Sequence, residues 1–218
     1  MNLLKLSKKE INYTLFGLVL GGGTYRKGVI QMERKEEERA LIEWLENLAK
    51  SLRLTYQVME HEETYQIKIR VPSRRHFENN RLVTASYKKV ASKYALRRIT
   101  PFGLFLWFLS AGKINVFIKD EAVKRYGYLK TEAFNKNEHV QMQKMFQERF
   151  LIETKIHQFR QGEKEKYRIY FNATNLRKFI DLIRDYIPLL PPQLRQTFNM
   201  RYESDGDGAK LAENYNFE

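Results

Sequence analysis

The chain lacks cysteine altogether and has no long apolar run. Without cysteine it can form no disulfide bond, no thiolate metal site and no cysteine nucleophile. A membrane-spanning helix needs about 18 consecutive apolar residues, and the apolar run at residues 15–20 is far shorter. These absences predict an intracellular protein, cytoplasmic or nucleoid-associated, with no membrane partner.

Acidic residues are few relative to basic ones. The 218 residues include 39 Lys and Arg but 26 Asp and Glu, which gives a formal net charge of +13. Such a surplus attracts polyanions at long range. Because 43% hydrophobic residues are enough for a folded core, we predict a globular protein whose partner is nucleic acid, with a membrane surface as the competing interpretation.

Hydrophobic spacing in the first half predicts a helix followed by two paired strands. Apolar residues at positions 41, 44, 45 and 48 recur at helical spacing after Glu36. Residues 54–59 and 65–71 alternate as half-buried antiparallel strands do. In the second strand this alternation turns three polar side chains outward, those of Gln66, Lys68 and Arg70.

The same order recurs in the second half, beginning with the apolar run 102–109. A helix opens at Asn135, because Glu138 follows three residues later at the spacing of a capping box. A last amphipathic helix ends before Pro191, because proline cannot continue a helix. Strands are predicted around these helices at residues 113–118, 128–134, 152–159 and 166–171.

These patterns together predict an α+β fold of two pseudo-symmetric αββαββα repeats. Pairing Gly23 with Gly112 gives an offset of 112 − 23 = 89 residues between the repeats. We place the first repeat and a basic connector at residues 1–95, the second repeat at 96–200, and a flexible tail at 201–218, where periodicity is lost.

Two glycine-ended segments carry a resemblance to a known family. Residues 15–23, Leu-Phe-Gly-Leu-Val-Leu-Gly-Gly-Gly, and residues 104–112, Leu-Phe-Leu-Trp-Phe-Leu-Ser-Ala-Gly, resemble the two motifs of LAGLIDADG homing endonucleases in their single-chain, two-repeat form. The resemblance extends over about residues 8–192. It implies a pseudo-symmetric monomer in which two motif helices pack side by side and two curved antiparallel sheets form a saddle over the DNA major groove.

Small residues in both motifs fit such a helix pair. Gly17 and Gly21 are four residues apart, so one turn of the first helix leaves a groove for a partner backbone. We expect Ser110 and Gly112 to permit the same approach on the second helix.

The chain departs from the family at the two positions on which cleavage depends. The resemblance implies one acidic residue just before the final glycine of each motif, where the carboxylates bind the divalent metal that activates water. Here these positions hold Gly22 and Ala111. No Asp or Glu occurs in residues 12–30 or 100–117. We therefore expect no catalytic residue, no metal site and no cofactor, and Mg²⁺ only if an active parent had acids at these two positions.

Binding to DNA does not need those acids. In the implied fold the outward strand residues and the first hairpin face the groove, where they contact bases and phosphates. The predicted DNA-binding residues are Tyr25, Arg26, Lys27, Gln66, Lys68, Arg70, Lys113, Asn115, Lys130, Lys166, Arg168 and Tyr170. The connector adds expected phosphate contacts at Arg74, Arg75, Lys88, Lys89, Arg97 and Arg98.

Three functions remain open at this point. The first is a sequence-specific double-stranded DNA-binding protein of homing endonuclease descent that no longer cleaves, as a regulator or a residual mobile-element protein. The second is an RNA maturase that assists the folding of a group I intron. The third is a LAGLIDADG endonuclease inactivated by substitution to trap uncleaved DNA.

Overall fold

The computed structural model describes residues 6–119 and 122–199 and contains two four-stranded antiparallel sheets around a central helix pair. The predicted α+β fold with two repeats is confirmed. The flexible tail predicted at residues 201–218 lies outside the described residues.

The first repeat supplies the first sheet, whose strand order is β1-β2-β4-β3. Its elements in chain order are α1 (Lys8–Gly21), β1 (Thr24–Arg26), β2 (Val29–Lys35), α2 (Arg39–Ser51), β3 (Tyr56–His61) and β4 (Thr64–Arg70). A one-turn 3-10 helix, Glu36–Glu38, leads into α2. The connector to the second repeat carries two short helices, α3 (Arg74–Asn79) and α4 (Lys93–Leu96).

The second repeat supplies the second sheet in the equivalent order β5-β6-β8-β7. Its elements are α5 (Pro101–Ala111), β5 (Gly112–Lys119), β6 (Ala122–Leu129), α6 (Lys136–Phe150), β7 (Lys155–Gln161), β8 (Lys164–Phe171) and α7 (Ala173–Ile183). Short helical turns close the described chain at Arg184–Leu189, α8 (Pro192–Arg195) and Gln196–Phe198.

One strand lies earlier in the chain than its pattern predicted. The segment predicted at 128–134 is β6, which spans Ala122–Leu129 and pairs along its whole length with β5. Lys124, Tyr126 and Tyr128 alternate on one face of this strand. Lys130, predicted within this strand, follows it directly.

Side-chain caps fix where the helices begin. Ser7 Oγ accepts the Glu10 backbone N–H at the start of α1, and the Glu10 carboxylate accepts the Ser7 N–H. The capping box predicted for α6 is confirmed, since Asn135 Oδ1 accepts from the Glu138 backbone at 3.0 Å and the Glu138 carboxylate accepts in return. Helix α5 starts at a proline preceded by Thr100, whose hydroxyl accepts the Gly103 N–H at 3.0 Å.

The core forms where the helices cover one face of each sheet. Helices α1 and α5 are buried almost all round, as expected of helices at the centre of a protein. Along β4, Ile67 and Ile69 face the core, while the intervening Lys68 faces away from it. Each sheet therefore has one face packed on helices and one open outer face. In residues 6–119 and 122–199, no helix has the length and apolar character needed to cross a membrane.

Candidate nucleic-acid interface

The two motif helices touch through their backbones. A Cβ added at Gly17 would overlap the carbonyl oxygen of Gly103, so only glycine fits there. A Cβ at Gly21 would lie 2.9 Å from Ser110 Cβ, which places both residues in the helix contact as expected. The structure also adds Gly103, which the sequence analysis missed.

A signal for Gly103 was present in the chain. Phe-Gly-Leu occurs at residues 16–18 and again at 102–104, an offset of 103 − 17 = 86 residues rather than 89. Gly112, by contrast, does not belong to the helix contact, because a Cβ there would meet the Phe108 side chain of its own segment. Gly112 instead ends α5, where its N–H donates to the Phe108 carbonyl, and begins β5.

The base of each motif helix holds a residue without a polar side chain. Gly22 ends α1 with φ +143° and donates its N–H to the Leu18 carbonyl. Such a φ favours glycine. Ala111 is the last residue of α5, and its carbonyl accepts the Lys130 N–H at 2.8 Å. Neither side chain can coordinate a cation.

A guanidinium lies beside Gly22 instead. Arg34, near the end of β2, donates from Nη2 to the Ser110 carbonyl at 3.1 Å and from Nη1 to the Glu33 carbonyl at 2.9 Å. A Cβ added at Gly22 would come within 2.9 Å of Nη2. The side chain is only 14% exposed, with Glu38 Oε2 3.7 Å from Nε. Arg34 therefore bridges the ends of the two motif helices, a role that its place in an alternating strand did not indicate.

The connector carries a second partly buried cation, Lys89, whose pKa is affected by the charge of Arg34. Lys89 is half-buried, and its backbone pairs with that of Val83 within the connector. Burial lowers the pKa of the Lys89 ammonium, and the positive charge of Arg34 lowers it further. Within the described chain, Lys89 has no ion pair within 4 Å.

This environment does not fit the divalent metal that the family resemblance implies. Mg²⁺ and Mn²⁺ require oxygen ligands, with carboxylates preferred, whereas Gly22 and Ala111 supply no side-chain oxygen and the space beside Gly22 holds a guanidinium. The part of the chain that the structure describes has no group of three His, Asp or Glu residues able to hold a metal ion.

The outer face of the first sheet carries most of the side chains predicted for it. Strand registry places Gln66 and Lys68 on one face of β4, opposite Glu33 and Gln31 of β2. Lys68 is half-buried, and Gln66 is only 7% exposed because its amide donates to the Glu33 carboxylate at 3.2 Å. Gln66 therefore needs a side-chain rearrangement to reach a base. Arg70 and the turn residue Lys27 are exposed.

Tyr25 is the clear departure from the predicted interface. Its side chain is 1% exposed and its ring stacks on Phe77 at a centroid distance of 4.9 Å. Burial and the Glu78 charge raise the pKa of its hydroxyl to about 12. Because β1 alternates, the inward turn of Tyr25 leaves Arg26 exposed on the other face, over the Tyr87 ring at 5.4 Å. Tyr25 is a core residue and not an available DNA contact.

The outer face of the second sheet is aromatic as well as basic. Tyr170 stacks on Tyr126 at 5.3 Å, and Arg168 lies between the rings of Tyr128 and Phe159 at 4.9 and 4.2 Å. Tyr126 was missed because it precedes the strand predicted at residues 128–134, and Tyr128, the first residue of that predicted strand, was not named as a contact.

Some of the remaining predicted contact residues of this sheet already bond within the protein, and others are exposed. Arg168 Nε bonds the Glu132 carboxylate at 2.5 Å, and Lys166 Nζ lies 3.4 Å from the Glu132 carbonyl. The side chains of Arg168 and Lys166 therefore both bond to Glu132 in the free protein. Lys113 and Asn115 share the face of Tyr128 and Tyr126 by strand registry, and exposed Lys130 follows at the end of β6.

The connector residues predicted to contact phosphate are mostly on the surface. Arg74 is paired with Glu78 at 2.8 Å, and Arg98 donates to the Tyr94 carbonyl. Arg75, Lys88 and Arg97 are exposed.

Comparison with solved structures finds the same fold in homing endonucleases. The homing endonuclease I-WcaI bound to its DNA recognition sequence matches with a TM-score of 0.63 and 18% identity, over 90% of this chain and 88% of that one. The homing endonuclease I-GzeII in complex with its DNA target matches with a TM-score of 0.53 and 12% identity, over 80% and 83%. The N-terminal LAGLIDADG domain of DUF199/WhiA gives a TM-score of 0.50 at 16% identity, over 84% and 88%.

Sequence comparison identifies the family. A search of curated proteins gives no match. The family model described as the LAGLIDADG DNA endonuclease family matches residues 13–179, which include most of α1, all of α5 and both sheets. The chain therefore belongs to the LAGLIDADG DNA endonuclease family.

Proposed function

We propose that this protein binds a specific double-stranded DNA site as a monomer and does not cleave it, acting as a regulator or as a residual mobile-element protein. The proposal rests on the residues found at the base of the motif helices. Gly22 and Ala111 offer no carboxylate there, and the Arg34 guanidinium lies against Gly22. The two outer sheet faces, which would contact DNA, remain open.

The two faces offer different chemistry to a duplex. The first sheet presents Gln31, Lys68 and Arg70, whose side chains can bond base edges or phosphates. The second presents tyrosines with lysines around them. Because the halves differ, the recognised site should be asymmetric. The DNA complexes of I-WcaI and I-GzeII support DNA as the ligand class for this fold.

Selection of duplexes from a random library tests binding and cleavage separately. We expect enrichment of one asymmetric sequence, and no cut product when that duplex is incubated with Mg²⁺ or Mn²⁺. Enrichment followed by specific cleavage would overturn the loss of nuclease activity but keep DNA recognition. Failure to enrich any sequence would overturn specific DNA binding itself.

We infer a second candidate function, binding of intron RNA, from the aromatic outer face of the second sheet. Proteins recognise unpaired RNA bases by stacking them on aromatic rings, and Tyr126 and Tyr170 already stack on each other there. Competition decides between the candidates. A folded group I intron RNA that displaces the selected duplex at lower concentration than unlabelled duplex does would favour the maturase function.

A further inference from the structure

The outer faces of the two sheets differ in their aromatic side chains. In the described strands of the first sheet, registry places no Tyr, Phe or Trp on the outer face. On the outer face of the second sheet it places Phe117, Tyr126, Tyr128, Phe159 and Tyr170. All of these side chains are exposed or half-buried. The two sheets therefore offer different surfaces to a ligand, although their strand orders are equivalent.

The rings form a row that crosses all four strands of the second sheet. Phe117 of β5 meets Tyr126 of β6 edge to face, with ring centroids 5.9 Å apart. Tyr126 stacks on Tyr170 of β8 at 5.3 Å. Two residues away on β8, the Arg168 guanidinium lies 4.2 Å from the Phe159 ring of β7. The row thus extends from one edge of the sheet to the other.

The charge around this aromatic row suits a polyanion. Registry places no Asp or Glu on this face of the described strands. The Glu132 carboxylate, from the segment after β6, bonds to Arg168. Exposed lysines lie on the same face at Lys113, Lys124, Lys155 and Lys164. Lysines that pair with phosphates, beside rings on which bases stack, are the combination found where proteins bind single-stranded nucleic acid.

Paired bases cannot use the faces of these rings. Each base of a duplex is stacked between its neighbours, so the grooves expose only base edges. An unpaired base has a free face and can stack on an aromatic side chain. The polar outer face of the first sheet, with Gln31, Lys68 and Arg70, suits base edges and phosphates of a duplex. The second sheet suits bases that have left the duplex.

We propose that the outer face of the second sheet binds unpaired nucleotides, so that the preferred ligand is a junction. A duplex beneath the first sheet continues into an open end beneath the second. This inference rests on the proposed function, which assigns the paired part to the first sheet. A fully paired duplex binds after the pairs beneath the second sheet open, and stacking on the rings offsets the cost of opening them.

Mismatches placed at either end of the selected duplex test the junction. At one end they should lower the wild-type Kd at least about tenfold, because each base-pair step that is already open saves about that factor. At the other end they should raise Kd, because they disturb the base edges that the first sheet reads. Tyr126→Leu, which keeps an apolar side chain without a ring, should abolish the gain. Tyr94→Leu removes a tyrosine that is 39% exposed on α4 and serves as the matched control.

Single strands test the aromatic row without a duplex and separate DNA from RNA. Oligothymidylate and oligouridylate carry unpaired bases on a DNA and an RNA backbone. We expect wild type to bind at least one of them, and Tyr126→Leu to raise its Kd about tenfold through the loss of one stacked base. Tighter binding of oligouridylate would identify RNA as the source of the unpaired strand, and tighter binding of oligothymidylate would identify DNA. Equal effects of Tyr126→Leu and Tyr94→Leu would overturn the inference.

The two levels of the proposal fail in different ways. A wild-type protein that selects no duplex sinks the proposed function, and the single strands still test the aromatic row. A wild-type protein that selects a duplex but gains nothing from mismatches at either end sinks the junction alone. If Tyr126→Leu does not fold, Tyr170→Leu provides the same test, because the Tyr170 ring stacks on that of Tyr126.

Discussion

A methyl group added at Gly17 tests the helix contact at the scale of one residue. Gly17→Ala would drive Cβ into the Gly103 carbonyl, which is backbone and cannot move aside without separating the helices. We expect a loss of about 3 kcal/mol in unfolding free energy and a melting temperature lower by about 6–12 °C. Thermal unfolding followed by circular dichroism measures both.

Gly162 provides the control for that substitution. A Cβ at Gly162 meets no atom within 4 Å, although its φ of +61° strains any other residue. Gly162→Ala should therefore cost only about 1 kcal/mol. Gly17 lies within helix α1 and has no positive φ, so a loss no larger than that at Gly162 would mean that the two helices accommodate the added methyl group and that the contact at Gly17 is not tight.

Tyr25 makes stability depend on pH in the alkaline range. Its pKa is raised from 10.0 to about 12 by burial first and by the Glu78 charge second, so the folded state holds the phenolic proton more tightly than the unfolded chain does. The stabilisation is complete below pH 10 and is lost as pH rises towards 12.

Tyr25→Phe isolates this contribution from that of Tyr65, whose pKa is also raised to about 12, mainly by its hydrogen bond to Glu60. Phenylalanine keeps the ring stacked on Phe77. Urea unfolding at a series of pH values should show wild type losing stability relative to Tyr25→Phe above pH 10. If the difference in unfolding free energy between wild type and Tyr25→Phe stayed constant across that range, the Tyr25 hydroxyl would ionise as it does in water, which would contradict its burial.

At the scale of elements, Thr100 joins the start of α5 to α1. Its hydroxyl caps α5 through the Gly103 N–H and lies 3.2 Å from the Thr14 hydroxyl. Thr100→Ala should lower the unfolding free energy by about 1–2 kcal/mol, whereas Thr100→Ser keeps the capping oxygen and should cost far less. Denaturant unfolding measures both variants, and a serine variant as unstable as the alanine one would rule out capping as the cause.

The sequence predicted those elements whose signals are local. Apolar spacing located α2, and the spacing of Asn135 and Glu138 located the start of α6 correctly. Strand β6 was misplaced because its first half is rich in charged residues, which strands usually avoid, and its pairing with β5, which comes just before it in the chain, decides that the segment is extended.

The site was less predictable than the fold. Outward alternation correctly placed Lys68 and Tyr170 on open faces, but it could not show that β1 turns Tyr25 into the core. The basic connector marked Lys89 as an expected phosphate contact. Nothing in the alternating strand indicated that Arg34 donates to the Ser110 carbonyl at the end of α5, because the two residues are far apart in the chain.

At the scale of the whole molecule, the two sheets should read different ends of one site. Lys68 lies on the outer face of the first sheet and Tyr170 on that of the second. Lys68→Ala and Tyr170→Ala should therefore relax base preference at opposite ends of the selected duplex. Repeating the selection with each variant measures this. Loss of preference at the same end for both would contradict a saddle that spans the site.

The net charge of +13 makes binding strongly dependent on salt. Each neutralised phosphate releases counterions, so log Kd rises linearly with log salt by about 0.9 per contact. If six or more basic side chains contact phosphate, affinity should fall at least about a thousandfold between roughly 50 and 200 mM KCl. Titration of the selected duplex and of a scrambled one should give steep slopes for both, because phosphate contacts do not read sequence. A flat slope for the selected duplex would place its affinity in base contacts and leave the basic surface without a role in binding.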